Sequence, residues 1–183
     1  MERPSARFYT SILNSAIKES KMQFVCINSD HDLSSVVKVL NEAHGTVAKE
    51  FGFTKENNPT NNTFIDEHAL RAQLDKGIEL YQLTVHDKVI GCIAIEKSAK
   101  EIDTYYIEKV SIIPEYRHQG YGIEIMEFAA EKIKAQDGKW ISIALIDSNT
   151  RLKNWYSKQG FKETGIRDFP HLPFRVCFMK KEV

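Results

Sequence analysis

Between an extended apolar run and an amphipathic helical pattern, the chain reads Arg117-His118-Gln119-Gly120-Tyr121-Gly122. The apolar run at 105–114 predicts a strand, and the spacing of apolar residues over 123–135 predicts a helix. The first N–H groups of a helix have no partners within it, and they lie at the positive end of its dipole. A glycine has no Cβ to keep an anion away from these groups. The segment therefore predicts a turn that binds a diphosphate.

Two common phosphate-binding patterns do not fit this turn. A Walker loop needs Gly-Lys followed by Ser or Thr, whereas Tyr121-Gly122-Ile123 stands here. The dinucleotide fingerprint needs a third glycine three residues after the second, and Ile125 occupies that place. What remains is Arg-x-x-Gly-x-Gly between a strand and a helix. The alternative is a glycine-rich turn that binds nothing.

A second block of sequence follows the predicted helix. Residues 140–146 have the pattern of a buried strand, Asn149 follows, Tyr156 comes seven residues later, and Gly160-Phe161 closes the element. The two blocks, in this order, resemble the GNAT superfamily of N-acetyltransferases, whose first block holds the pyrophosphate of acetyl-CoA. The resemblance covers residues 22–183 and is tightest over 104–161.

The resemblance implies a reaction and a cosubstrate. It implies that an acetyl group passes from acetyl-CoA to a primary amine of a small molecule or a peptide, by direct attack in a ternary complex. It implies neither a metal nor a covalent acetyl-cysteine, and it leaves a monomer and a homodimer open. The alternatives are a non-catalytic acyl-CoA-binding module of the same fold and an unrelated α/β nucleotide-binding protein. The missing Walker and dinucleotide patterns count against the second alternative.

The hydrophobic pattern predicts one α/β domain over 22–183, with a short helical extension at 1–21. The predicted order of elements is β-α-α-β-β-β-α-β-α-β-β, with a hairpin around His86-Asp87-Lys88. The resemblance implies a mixed, mainly antiparallel sheet with a V-shaped split between its central strands and helices on both faces. The second helix is predicted at 65–76, and the last two strands are predicted at 161–164 and 174–180.

Composition excludes several classes of protein. The chain is 42% hydrophobic, which is enough for a core, and its 25 basic and 25 acidic residues balance, which removes the simple argument for nucleic-acid binding. It has no run of 18 apolar residues and no apolar signal core, so we expect a cytoplasmic protein without a membrane partner. Cys26, Cys92 and Cys177 lie in apolar runs and are expected to be buried free thiols.

Glu108 is the candidate general base. In a regular strand its side chain would share a face with Val110 and Ile112. Its place before the apolar core of the strand resembles the general-base position of diamine acetyltransferases. A carboxylate in a partly apolar cleft can accept the proton of an amine, directly or through water. The alternatives are a surface Glu108 paired with Lys109, and a base supplied by His171 or by a water chain.

Tyr156 matches the general acid of the family, which protonates the leaving thiolate. A thiol and a phenol have similar acidities, so proton transfer between them is nearly balanced. Tyr156 also forms an i, i+3, i+4 apolar stripe with Leu152 and Trp155, so packing in the core is the alternative.

The resemblance assigns the remaining binding groups. It assigns the backbone N–H of Val110 to the thioester carbonyl, and a bulge in the surrounding strand to the pantetheine chain. Asn149 would bind the pantetheine arm or cap the next helix. The residues expected to bind acetyl-CoA are Val110, Ser111, Ile112, Arg117, His118, Gln119, Gly120, Tyr121, Gly122, Asn149, Asn154 and Lys158.

The acceptor site is expected between the first two helices, the loop at 54–63 and the segment before the last strand. An aromatic wall at this site and ordinary core packing are both open for four residues: Phe51, Phe53, Phe64 and Tyr105. No pattern in the sequence identifies the amine.

Overall fold

The computed structural model describes residues 22–183, and the helix expected within 1–21 lies outside the described residues. The elements follow one another in the predicted order. The strands are β1 (Met22–Ile27), β2 (Glu79–Val85), β3 (Lys88–Lys97), β4 (Thr104–Ile112), β5 (Trp140–Ile146), β6 (Lys162–Arg167) and β7 (Val176–Glu182). The helices are α1 (Ser34–Phe51), α2 (Glu67–Leu74), α3 (Tyr121–Ala135) and α4 (Thr150–Lys158).

The strands form one sheet in the order β1-β2-β3-β4-β5-β7-β6. Neighbouring strands are antiparallel, except that β4 and β5 are parallel. The α/β class and the mixed, mainly antiparallel sheet are therefore confirmed.

The two parallel strands separate soon after they meet. β4 pairs with β5 only from Thr104 to Tyr106, opposite 140–142, whereas β5 continues along β7 as far as Ile146. The C-terminal halves of β4 and β5 thus diverge, which is the V-shaped split expected between the central strands.

A bulge in β4 lies on the diverging half. Ala94 stands opposite Glu108 and Cys92 stands opposite Ser111, so β4 has one residue more than β3 between these pairs. Lys109, one of the two residues that stand opposite Ile93, has a left-handed φ of 52°. Because a bulge reverses the alternation of side chains, Glu108 shares its face with Ser111. The expectation for a regular strand, in which Glu108 lies beside Val110 and Ile112, is therefore wrong.

Helices cover both faces of the sheet, as expected. On one face, α1 packs over β3 and β4, and His44 contacts Ser111. On the other, Phe128 of α3 stacks on Phe24 with ring centroids 4.0 Å apart and meets the edge of Tyr81. Among residues 22–183, no helix has the length and apolar character needed to cross a membrane.

Several element boundaries differ from prediction. Helix α2 spans 67–74 instead of 65–76, because Asp66 caps it by accepting a hydrogen bond from the backbone N of Ala69 at 2.8 Å. The last two strands run further towards the C-terminus than predicted, at 162–167 and 176–182.

The prediction that all three cysteines are buried is wrong for Cys26. Cys92 and Cys177 are buried, but Cys26 is exposed because β1 is an edge strand of the sheet. An apolar run at an edge has only one sheet neighbour, and its outer side remains open to water.

Candidate functional site

The glycine turn joins β4 to α3 through a short 3₁₀ turn at Pro114–Tyr116. Gly120 precedes the helix with a φ of 93°, which an L residue rarely adopts, and its carbonyl accepts hydrogen bonds from the N atoms of Ile123 and Glu124. Within the described chain, no side chain caps this end of α3. The turn therefore offers backbone donors at a helix N-terminus, which suits a diphosphate.

Position 122 requires a glycine for a different reason, which is the space that a neighbouring ring occupies. Gly122 lies inside the first turn of α3, and a Cβ there would stand 3.1 Å from Cζ2 of Trp155. The missing side chain thus allows the indole of α4 to pack directly against the turn.

Arg117 directs its hydrogen bonds into the protein. Its Nε donates to the carbonyl of Ile112 at 3.0 Å, Nη1 to Oγ1 of Thr46 at 3.0 Å and Nη2 to the carbonyl of Ala43 at 2.8 Å. The guanidinium therefore links α1 to the end of β4, and a contact of Arg117 with a bound phosphate remains a prediction.

The other residues predicted at the turn lie around this helix start. His118 and Gln119 are exposed, and Nε2 of Gln119 donates to the carbonyl of Glu115 at 2.9 Å. Tyr121 is half-buried, with its ring 6.1 Å from that of Tyr116. Contacts of these residues with a coenzyme remain predictions.

Tyr156 is buried between two aromatic rings. Its centroid lies 4.9 Å from Trp155 and 5.3 Å from Phe161, both in edge-on geometry. Within residues 22–183 its hydroxyl makes no hydrogen bond, and burial raises the pKa of the phenol well above its usual range. The side chain belongs to the core, as the apolar stripe indicates, and it holds a proton that no described group accepts.

Asn149 caps α4. Its Oδ1 accepts a hydrogen bond from the backbone N of Leu152 at 3.1 Å, and the residue is buried. The capping role left open by the sequence is thus present, whereas a bond to pantetheine remains a prediction. Asn154 and Lys158 lie exposed on the same helix.

Glu108 and Lys109 form an ion pair at the bulge. Oε2 of Glu108 lies 3.8 Å from Nζ of Lys109, and the two side chains are 45% and 6% exposed. The structure therefore contains the ion pair with Lys109 that the sequence analysis gave as the alternative to a general base at Glu108. The carboxylate is more open to solvent than a base in an apolar cleft would be, and the lysine is the buried partner.

Residues 76–163 match the family model of the acetyltransferase (GNAT) domain. The chain carries a GNAT acetyltransferase domain.

Solved structures show the same fold. The ribosomal-protein-S18-alanine N-acetyltransferase from Escherichia coli aligns with a TM-score of 0.67 and 16% identity, over 88% of this chain and 94% of that chain. The PaiA N-acetyltransferase from Thermoplasma acidophilum, in complex with coenzyme A, aligns with a TM-score of 0.70 and 16% identity, over 88% of this chain and 99% of that chain.

A curated relative matches only in part. An amino-acid acetyltransferase of Pseudomonas fluorescens is 27% identical over 101 residues, which is 55% of this chain and 22% of the length of that protein.

His44 lies beside the bulge of β4, and the sequence analysis did not identify it as a candidate. Its Nε2 lies 3.0 Å from Oγ of Ser111. Because of the bulge, Ser111 and Glu108 lie on the same face of the sheet, which is the face that His44 contacts. Burial lowers the pKa of His44 to about 4, with further contributions from the charges of Lys109 and Arg117. A signal was present, because His44 follows Leu40 by four residues on the apolar side of α1.

Cys92 lies directly beside the bulge of the GNAT domain. Its Sγ is 3.6 Å from the carbonyl oxygen of Lys109, and burial raises the pKa of the thiol to about 12. The thiol is therefore protonated at neutral pH and is a poor nucleophile.

Aromatic rings from the end of α1 and from the segment before β7 pack together. Phe53 lies 5.9 Å from Phe51 and 5.1 Å from Phe174 of the segment before β7. Phe53 and Tyr105 are both buried, and the hydroxyl of Tyr105 donates to the carbonyl of Gln136 at 3.3 Å. His171 is exposed, with its ring 5.9 Å from Phe169 in the segment before β7.

Proposed function

We propose that this domain transfers the acetyl group of acetyl-CoA to a primary amine of a small molecule or a peptide, by direct attack in a ternary complex. One observation carries the proposal: the bulge of β4 lies where β4 and β5 have separated, shortly before the glycine turn in the chain. The split leaves one side of β4 without a sheet neighbour, which suits an extended chain such as pantetheine.

The backbone of β4 around the bulge would hold the thioester. The N–H of Val110 is proposed to bind the carbonyl oxygen as it gains negative charge, and the main chain of Ser111 and Ile112 to pair with pantetheine. A preorganised backbone donor of this kind is typically worth about 3 kcal/mol in the transition state.

Glu108 is proposed to accept the proton of the entering ammonium. Its 45% exposure places the carboxylate where an amine can arrive from solvent, and it shares a face with Ser111 and the His44 ring. Removing this proton frees the nitrogen lone pair that attacks the carbonyl.

Tyr156 is proposed to protonate the leaving thiolate. The N–C bond forms as the C–S bond breaks, the thiolate takes the phenolic proton, and the second amine proton returns to the tyrosine through solvent. Because burial raises its pKa, the phenol carries its proton throughout the neutral range.

Direct attack is favoured over an acetyl-cysteine. Cys92 is the cysteine beside the bulge, and its buried thiol is protonated at neutral pH. Alkylation of the cysteines in the folded protein is therefore expected to leave the rate of acetyl transfer unchanged.

The coenzyme would extend from the V to the glycine turn. The backbone of Gly120 and its neighbours is proposed to hold the diphosphate, with Arg117 and His118 adding charge nearby. Asn149, Asn154 and Lys158 are proposed to line the path of the pantetheine arm and the adenosine end.

The test is acetyl-CoA consumption, followed by release of free thiol, against polyamines, amino acids, aminoglycosides and short peptides. Release that depends on one class of amine and collapses in Tyr156→Phe supports the enzyme. Coenzyme A binding without release from any amine favours the acyl-CoA-binding module. An increase in melting temperature with ATP or NAD, but not with coenzyme A, favours the nucleotide-binding alternative.

A further inference from the structure

Lys109 has a buried side chain and no role in the proposed reaction. Its side chain is 6% exposed, and within residues 22–183 its ammonium makes no hydrogen bond. Its ion pair with Glu108 is 3.8 Å long, beyond the length of an N–H···O bond. Little of this side chain reaches water, and the left-handed φ of 52° at Lys109 is costly for a residue with a side chain.

Among residues 22–183, the anion that pairs with the buried Lys109 is the half-exposed Glu108. Among the described residues, Arg117 is a second cation near His44, and its donors are taken by oxygens of α1 and β4. His44 itself is neutral at pH 7, and Cys92 keeps its proton. Glu108 is the carboxylate that faces Lys109, and it is half exposed.

We propose that Glu108 and Lys109 together recognise a zwitterion, so that the acceptor is a free amino acid. The ammonium group of the acceptor would lie at Glu108 and its carboxylate at Lys109. This inference rests on the proposed function and narrows its acceptor from amines in general to amines that carry a neighbouring carboxylate.

The spacing of the pair fits this class. In an α-amino acid a single carbon joins the ammonium and the carboxylate, so their receptors must stand a few ångströms apart, as the two side chains do at 3.8 Å. A polyamine has no carboxylate, and the N-terminus of a peptide has an amide in its place. A polyamine would therefore offer the ammonium of Lys109 no acceptor, and a peptide would offer it a neutral amide oxygen in place of a charged carboxylate.

The position along β4 also fits the reaction. Val110, whose N–H is proposed to hold the thioester carbonyl, follows Lys109 directly. A carboxylate anchored at Lys109 would keep the α-amino group beside that carbonyl, and orientation of this kind is a large part of catalysis.

The test compares each of the common L-amino acids with its own amide, which keeps the amine and removes the carboxylate. We measure kcat/KM with acetyl-CoA for the wild type, Lys109→Met and Lys109→Arg. At least one acid is expected to exceed its amide by 100-fold or more in the wild type. Lys109→Met should reduce that preference to below tenfold, and Lys109→Arg should retain most of it. The dissociation constant of coenzyme A and the melting temperature control for the fold.

A binding experiment separates this inference from the reaction itself. N-acetyl-amino acids and N-acetyl-amino acid amides are titrated calorimetrically into the complex with coenzyme A. Acid-selective binding that Lys109→Met abolishes supports the inference even if no amine is turned over, in which case the proposed reaction fails alone. Turnover of amides, peptides or polyamines as fast as amino acids overturns the inference and leaves the reaction standing. An acid preference unchanged in Lys109→Met, or no binding of any N-acetyl-amino acid, also overturns it.

Discussion

The indole of Trp155 occupies the space beside Gly122 that a side chain would need. A Cβ on Gly122 would lie 3.1 Å from Cζ2 of this ring, and the ring centroids of Trp155 and Tyr156 are 4.9 Å apart in edge-on geometry. The glycine turn and the proposed general acid are thus connected through one aromatic side chain. Crowding at the turn is therefore expected to displace the ring on which Tyr156 packs.

Gly122→Ala is expected to weaken coenzyme A binding about tenfold, or about 1.4 kcal/mol. Because alanine has a higher helix propensity than glycine, the melting temperature should not fall. Calorimetric titration measures the affinity. Trp155→Leu in the same chain should recover most of the loss, because the smaller side chain leaves room for the Cβ. Gly120→Ala is the matched control: its strain of about 1–2 kcal/mol comes from the φ of 93°, so Trp155→Leu should not relieve it.

Tyr156→Phe is expected to lower kcat by about 10²- to 10⁴-fold, the usual range for a general acid. The dissociation constant of coenzyme A should change little, because the ring packing is kept. Burial raises the pKa of Tyr156, so the phenol stays protonated over the assay range. The ratio of wild-type to variant rates should therefore be constant from pH 6 to pH 9. A ratio that falls towards high pH, or equal losses in rate and affinity, would remove the assigned role.

Glu108→Gln is expected to lower kcat/KM by about 10²-fold near neutral pH. Without the carboxylate, the reaction depends on the fraction of amine that is already neutral, so the rate of the variant should rise with pH up to the pKa of the acceptor. A pH–rate profile of both proteins with one acceptor measures this. An unchanged profile would place the base on a water chain or on His171.

His44 is expected to destabilise the folded protein in acid. Its pKa is about 4 in the folded state and about 6.5 in an unfolded chain. As the pH falls below about 6.5, His44 becomes protonated in the unfolded chain but stays neutral in the folded protein until about pH 4. The free energy of unfolding therefore decreases across that pH range. The loss attributable to His44 should approach about 3 kcal/mol near pH 4.

Denaturant unfolding from pH 7.5 to pH 4 checks this. His44→Gln should flatten the acid decline relative to the wild type, whereas His68→Gln, which alters an exposed residue on α2, should follow the wild type. Parallel declines in all three proteins would contradict the assignment.

Lys109→Met is expected to raise the free energy of unfolding of the ligand-free protein by about 1 kcal/mol, because it removes the charge from a side chain that is only 6% exposed and whose ion pair with Glu108 is 3.8 Å long. Methionine keeps the aliphatic stem, so the cost of the left-handed backbone is unchanged. Chemical denaturation measures the difference. Lys162→Met on the exposed surface of β6 is the control and should have no such effect. A destabilised Lys109→Met would show that the pair with Glu108 supports the fold.

Local signals predicted most of the architecture. The order of the elements, the hairpin at His86-Asp87 and the span of β5 follow from hydrophobic periodicity and turn residues, which depend on neighbours in the chain. The capping role of Asn149 and the glycine turn were predictable for the same reason. The ends of α2 and of the last strands were not, since a cap at Asp66 and pairing with β7 decided them.

The sequence by itself therefore determined the elements, the glycine turn at the start of α3, and the family that these blocks resemble. Only the tertiary structure decided which side chains meet at the split of the sheet. The bulge shifts the register of β4 against β3, so Ser111 turns towards His44 and Lys109 becomes buried beside Glu108. Register and helix packing depend on contacts between residues far apart in the chain, and no local pattern encodes those.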